Sequence, residues 1–454
     1  MIGCFPGAFR SRKFGLLLLI LPLLLSGCKE SGITTAGCRD CNIVLILIDA
    51  LRPDHLPCYG YDEDTAPAID RLAGRGIIFG NAISQSSWTK ASVASLFTSL
   101  YPHNHQAKKW RDVLPLEITT LAEELKRHGY RTFAVQTNTF IQTRHNFDQG
   151  FDEYVESAYP ECTADLVVDR AMEFFDGIEA EPKKFFAYLH FMDTHFPYDA
   201  PEAYQRKFID DDHVGYFDLT KVPLKNIRSG AMQLFAEDKA HIQALYDAEI
   251  RFVDDQIREL IDRLKQSGLF DDTLFIITSD HGEEFWEHGG FEHGHSMYNE
   301  LLRVPLIICH PGLETRKKIG QLVRLIDVFP TLMGILDLDT EAEMMGVDLS
   351  EILAADKEID LGLLGFSEAI LYGDEKKAIQ SAHFKFIKRM GTPVYELYDL
   401  DKDRRERNDL RKKRNEFKKL FHEYRKAESR PYRRVKKNLD EKAKKILESL
   451  GYIK

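Results

Sequence analysis

The chain reads as an α/β protein with a mostly parallel central sheet sandwiched by helices and a smaller antiparallel sheet toward the C-terminus. Three observations predict this. Short, almost wholly apolar runs recur along the chain, the pattern of strands buried on both faces. Segments with helical spacing separate them, closed by glycines. Beyond Gly365 the pattern changes to short strands divided by turns.

Taken in order, Asn42–Ile48 (NIVLILI) is the first buried strand, and Asp49 stands at its C-terminal end. Comparable runs predict strands at Thr132–Gln136, Phe185–Phe191, Thr273–Thr278 and Leu306–Cys309. Between them, Glu117–His128 closed by Gly129 and Lys239–Gln266 closed by Gly268 have helical spacing. Phe384–Lys388 and Tyr395–Tyr398, with turns at 391–393 and 399–403, make up the antiparallel part. The expected divisions are a main body over 42–365, a subdomain over 366–410 and a basic helical tail over 411–454.

The first 27 residues stand apart. Arg10, Arg12 and Lys13 precede the apolar run Gly15–Leu25, whose 11 residues are too few to span a bilayer, which takes about 20. The run ends in Leu25-Ser26-Gly27-Cys28 and resembles a bacterial lipoprotein signal peptide. That resemblance implies lipidation of Cys28, a polar tether over 28–41, and a protein anchored to a membrane of the cell envelope, facing the periplasm or the exterior. Cys38 and Cys41 have a C-x-x-C spacing; two thiols make no zinc site, and a local disulfide, or no function at all, is the better expectation in an exported chain.

The formal charge of −11 conceals an asymmetry. Residues 402–454 carry 21 basic and 9 acidic side chains, a net +12, which leaves −23 on the rest. An acidic body disfavours phosphate backbones, so nucleic acid is not expected as a partner, whereas the basic tail suits anionic lipid or the body itself.

Two strand ends carry candidate chemistry. Asp49 follows one, and Asp280 with His281 follows another. In such folds ligands bind beyond the carboxyl ends of the strands, so these oxygen and imidazole groups can converge on one cation. Taken alone, a strand-end Asp is more often a helix cap or turn former; acidic residues at two strand ends reverse that balance. Ser86–Leu96 (SSWTKASVASL) opens a helix with clustered hydroxyls. A helix N-terminus suits an oxyanion, and a hydroxyl beside a cation there loses its proton more easily. The plain alternative is that Ser87 or Thr89 caps the helix.

The segment from Ile48-Asp49 through Arg52-Pro53-Asp54, Tyr59-Gly60-Tyr61 and Thr65-Ala66-Pro67 to Leu72-Ala73 resembles the opening of the sulfatase family, within the alkaline phosphatase superfamily. The resemblance continues in order through Ser92–Thr98, Tyr101-Pro102-His103, Phe151-Asp152, Tyr188–Tyr198 (YLHFMDTHFPY) and Tyr246–Asp255. Thr278–Gly290 (TSDHGEEFWEHGG), Arg303–Gly312 (RVPLIICHPG) and Leu397–Leu410 complete it, so it covers roughly residues 42–410. It implies the family's fold, with 42–365 as the catalytic domain, and one divalent cation, Mn, Zn, Mg or Ca.

Carried over residue by residue, the resemblance places Asp49, Asp280, His281 and the Thr89 oxygen on the metal, with Thr89 as nucleophile. His195 falls on the histidine that contacts the oxyanion, and His295 or His293 near the leaving group, His295 as its proton donor. Asn138 stands roughly where sulfatases hold the sulfate and is expected to bind substrate, as is His293. A second cation on Asp193, His195 and His295, as in two-metal relatives, is the less favoured alternative to a single one. The departures are informative. His281 replaces the Asn common in true sulfatases, Ala50 replaces a second metal Asp, and Ala91 and Val93 replace a Pro and an Arg. Thr89 cannot become formylglycine, so that group is not expected. What remains resembles the Thr-nucleophile branch, which acts on phosphodiester or phosphonate esters as hydrolase or transferase. The alternatives are a sulfuric ester hydrolase working without formylglycine and a catalytically inactive surface lipoprotein.

Overall fold

The computed structural model describes residues 38–157, 163–179, 184–209, 219–310, 316–355, 359–411 and 422. The expected signal peptide, Cys28, most of the tether, and the tail past Arg411 save His422 lie outside them. Among the described residues the strands are, in chain order, β1 (Asn42–Ile48), β2 (Ile77–Ile83), β3 (Arg131–Gln136), β4 (Glu153–Glu156), β5 (Phe185–Phe191) and β6 (Thr273–Thr278). There follow β7 (Glu284–Phe285), β8 (Phe291–Glu292), β9 (Arg303–Val304), β10 (Leu306–Cys309), β11 (Lys317–Arg324), β12 (Gly365–Ser367), β13 (Lys376–Gln380), β14 (Phe384–Arg389) and β15 (Tyr395–Asp399).

One large sheet runs in the order β11, β2, β10, β6, β1, β5, β3, β4, with β9 attached to β2. β1 is parallel to both β5 and β6, β3 to both β4 and β5, and β11 to β2. β10 is antiparallel to its neighbours β6 and β2. The reason is local: after β6 the chain makes the β7–β8 hairpin and re-enters the sheet without the crossover helix that a parallel strand needs. A second sheet, β12 to β15, is antiparallel throughout. The architecture is the one expected from sequence.

Alternation along β1 explains its unbroken apolar run. Val44, Ile46 and Ile48 pack into one core cluster with the helices Ala164–Glu179 and Ala236–Gln266. Ile43, Leu45 and Leu47 pack into the other with Thr89–Thr98 and Val328–Leu336. Both faces are therefore dry, which is what a period-2 strand between two helical layers requires. The helix expected over 117–128 is Leu121–Arg127, shortened by a capping box in which Thr120 and Glu123 exchange bonds. Cys38 and Cys41 form a disulfide, and both are buried against the core, so the packed body includes residues 38–41.

Candidate active site

β1, β6, β5 and β3 end on the same side of the sheet, and each delivers polar groups there. Asp49 follows β1, its backbone N–H donating to Phe191 O at 2.8 Å and its carbonyl accepting from Thr194 Oγ1 at 2.5 Å. Asp280 and His281 follow β6. Asp280 Oδ1 accepts from His281 N at 3.0 Å and from Ala50 N at 3.3 Å; Ala50 holds the left-handed φ of 57° that turns this N–H toward it. Gly282 comes next because any Cβ there would run into the Glu300 carbonyl oxygen.

Thr89 begins the helix Thr89–Thr98. The N-cap is Trp88, which makes no side-chain cap bond, so neither Ser87 nor Thr89 caps this helix. Thr89 Oγ1 donates to Asp49 Oδ2 at 3.2 Å and lies 3.4 Å from His281 Nε2. Asn138, just beyond β3, donates through Nδ2 to Asp49 Oδ2 at 3.0 Å and to Thr89 Oγ1 at 3.3 Å. Asp49, Thr89, Asn138, Asp280 and His281, separated by up to 232 positions, meet at one buried point.

The donor set fits a cation. His281 Nδ1 is 2.9 Å from the Gly282 carbonyl, to which it can only donate, so neutral Nε2 carries a lone pair. That lone pair faces Asp280 Oδ2 at 3.3 Å and Asp49 Oδ1 at 3.5 Å. Both carboxylate oxygens are buried without a hydrogen-bond partner. Three acceptors turned on one another repel unless a positive charge lies between them, and their ligand atoms all lie within 4.8 Å of one another. Burial pushes the Asp49 carboxyl up, but the His190 hydrogen bond, together with the neighbouring imidazoles of His281 and His195, outweighs it and holds the group well below the usual range. Burial, with Asp49 alongside, pushes Asp280 the other way.

His190 was missed by the sequence reasoning. It occupies a core position on β5, where its Nε2 lies 3.1 Å from Asp49 Oδ2 and its Nδ1 lies 2.9 Å from Tyr188 Oη. The tyrosine hydroxyl donates to Nδ1, which leaves the proton on Nε2 and aims it at the carboxylate. The available signal was a histidine inside an otherwise apolar strand, since a buried imidazole requires partners.

His195 is buried beside this cluster, its Nδ1 donating to Phe196 O at 2.7 Å. Burial pulls its pKa down to about 4. His293 lies between them, with ring centroids 4.8 Å from His195 and 4.2 Å from His281, and Nδ1 bonded to Glu283 Oε1 at 2.9 Å. His295 is placed differently: Nε2 is bonded to Glu284 Oε2 at 2.8 Å, and the side chain is partly exposed. The ligand atoms of His195 group with those of His293 and Glu292 rather than with Asp193 and His295, which corrects the expected composition of a second cation site. Asp193 Oδ1 instead accepts from Ala164 N at 3.0 Å, at the start of a helix.

A carboxylate and imidazole cluster beside a helix-borne hydroxyl, at the carboxyl edge of a parallel sheet, is an arrangement that can hold a cation and an oxyanion together. The family model described as Sulfatase matches residues 41–338, and that of the N-sulphoglucosamine sulphohydrolase C-terminal region matches residues 286–430. The mouse (Mus musculus) iduronate 2-sulfatase is 22% identical over 418 residues, covering 73% of this chain and 75% of the relative. An arylsulfatase of Clostridium perfringens is 23% identical over 450 residues, covering 81% of this chain and 90% of the relative. Among solved structures, the phosphonate monoester hydrolase of Agrobacterium radiobacter superposes with a TM-score of 0.70 at 21% identity, over 85% of this chain and 94% of that one. The chain belongs to the sulfatase family and is a hydrolase of that family, whose enzymes bind a divalent metal.

Proposed function

We propose that this hydrolase cleaves, or transfers the group of, a phosphodiester or phosphonate ester, with Thr89 as nucleophile and one divalent cation on Asp49, Asp280, His281 and Thr89. The observation that carries the reading is the Thr89 hydroxyl, 3.2 Å from Asp49 Oδ2 and 3.4 Å from His281 Nε2, at an uncapped helix N-terminus. When bound, the cation supplies Lewis-acid neutralisation and eases ionisation of a neighbouring hydroxyl.

The chain's own groups account for the rest. Asp49 accepts the Thr89 proton bond and turns the oxygen lone pairs toward the pocket. As Oγ1 attacks, its proton passes to Asp49 Oδ2, the acceptor it already faces at 3.2 Å; an Oγ1–phosphorus bond forms and the ester bond breaks, leaving a threonyl-phosphate, and the proton returns to Oγ1 when that bond is later cleaved. The leaving alkoxide takes its proton from His295, whose Nε2 is held by Glu284 Oε2 at 2.8 Å. Water, or an acceptor alcohol, then cleaves the Oγ1–phosphorus bond and restores Thr89. Asn138 Nδ2 is a donor for the charge developing on the equatorial oxygens. Neutral His195 presents a lone pair at Nε2, so it joins Asn138 only after protonation, which a bound anion favours. Lipidation at Cys28, and through it a cell-envelope location, remain part of this proposal.

A second reading, sulfate-ester hydrolysis, is favoured by the sulfatase names of the relatives, although Thr89 bars the formylglycine route. Metal content and turnover of paired aryl phosphodiester, phosphonate and sulfate esters, each repeated with Thr89→Ala, separate the two. Metal-dependent phosphodiester or phosphonate turnover that vanishes in Thr89→Ala is the expected result. A preference for sulfate transfers the assignment to the second reading.

A further inference from the structure

Away from the Thr89 cluster, the catalytic body and the C-terminal sheet enclose a cavity of about 870 Å³. Its walls come from the loop after β1, from β2 and β11, and from the turn after β15. Charged groups dominate it, and the carboxylates are already committed. Asp54 and Glu287 bind Arg52 at 2.8 and 2.6 Å. Glu300 binds His288 at 2.5 Å, and Asp401 binds His383 at 2.9 Å. Asp360 accepts from Gly362 N at 2.8 Å.

Five cations on the same walls have no such partner, one of which, Arg407, donates instead to the Glu287 carbonyl oxygen. Arg303, Lys318, Arg404 and Arg405 make no ion pair with the described residues. Arg303 is the best organised of them: Nε and Nη2 both donate to Gly80 O, at 3.3 and 2.8 Å, which fixes the guanidinium plane and leaves Nη1 uncommitted. Burial, joined by the like charges of Arg404 and Arg52, pulls this guanidinium below its usual range, whereas Asp54 opposes them. Like charges gathered in a concave site with their carboxylates spent elsewhere are stabilised by a multivalent anion, and arginine suits a tetrahedral oxyanion.

We propose that this cavity binds a phosphate or sulfate group through Arg303, Lys318, Arg404 and Arg405, as an oxyanion site separate from the catalytic one. The group can arrive as a free inorganic ion or on a sugar, and the same contacts serve both.

Equilibrium dialysis at fixed ionic strength in chloride tests this with two probes, inorganic phosphate and glucose 6-phosphate. Wild type is compared with Arg303→Gln and with the double variant Arg404→Gln/Arg405→Gln. The double variant changes exposed side chains only, so it keeps the test decisive if loss of the Gly80 contacts unfolds Arg303→Gln. The expected result is one class of sites weakened at least tenfold in the double variant, with metal content and turnover unchanged. Loss confined to inorganic phosphate identifies the free ion as the ligand, and loss confined to glucose 6-phosphate identifies the sugar-borne group. Binding of both probes within twofold of wild type, in a folded double variant, overturns the proposal.

Discussion

Glu368 joins the C-terminal sheet to the catalytic body, and replacing it with Gln should cost stability in a pH-dependent way. The side chain is fully buried. Oε1 bonds His103 Nδ1 at 2.8 Å, while Oε2 faces Lys377 Nζ at 3.1 Å and Lys108 Nζ at 3.4 Å. Burial alone pushes the carboxyl up, but the His103 bond and the charges of Lys108 and Lys377 outweigh it and hold the pKa at about 2, against an ordinary 4.5. At about 1.4 kcal/mol for each tenfold change, the ionised form contributes about 3 kcal/mol to folding at neutral pH. A depressed folded-state pKa fixes the sign: the contribution is complete above about pH 5 and fades as pH falls toward 2, reaching about half near pH 3. Gln keeps the shape and removes the charge. Denaturant unfolding of both proteins between pH 3 and 7 should therefore give a difference of about 3 kcal/mol at pH 7 that narrows with acid. A difference below about 1 kcal/mol at pH 7, or one that does not change with pH, would refute the reasoning.

Three further outcomes follow from the active site. Thr89→Ala should reduce turnover by at least ~10³-fold, and Thr89→Ser should retain measurable activity with acid-stable phosphate on the protein after a quench. Removing metal with a chelator should lower Tm by several degrees, because Asp49 and Asp280 then face His281 uncompensated, and Mn or Zn should restore it; Asp280→Asn should lose that response. Asn138→Ala should cost about 10²-fold in kcat with little change in KM if Nδ2 serves the developing charge, and steady-state kinetics of the purified variant would show it.

Much of the site was legible because its residues stand at strand ends. Apolar runs locate β1 and β6 directly, so Asp49, Asp280 and His281 could be placed on one edge before any coordinates. The strands that were missed have a physical explanation. β2 (IIFGNAI) is interrupted by Gly80 and Asn81, and β11 (KKIGQLVR) lies at the sheet edge, where water tolerates lysines. β12 and β13 are short; β12 pairs only with β13, and β13 is anchored on its other side by β14.

The sequence by itself determined the α/β layering, the polar groups at the strand ends, the hydroxyl at position 89 and the resemblance to the sulfatase family. Only the tertiary structure decided that the Ser87 and Thr89 side chains do not cap their helix, and that His190 rather than a second acidic residue steadies Asp49. It also decided that His195 faces His293 and Glu292 while His295 turns to Glu284. The physical reason is that periodicity and end signals are local along the chain. Which imidazole nitrogen keeps its lone pair, and which carboxylate oxygen goes without a proton donor, depend on groups brought together from distant strands.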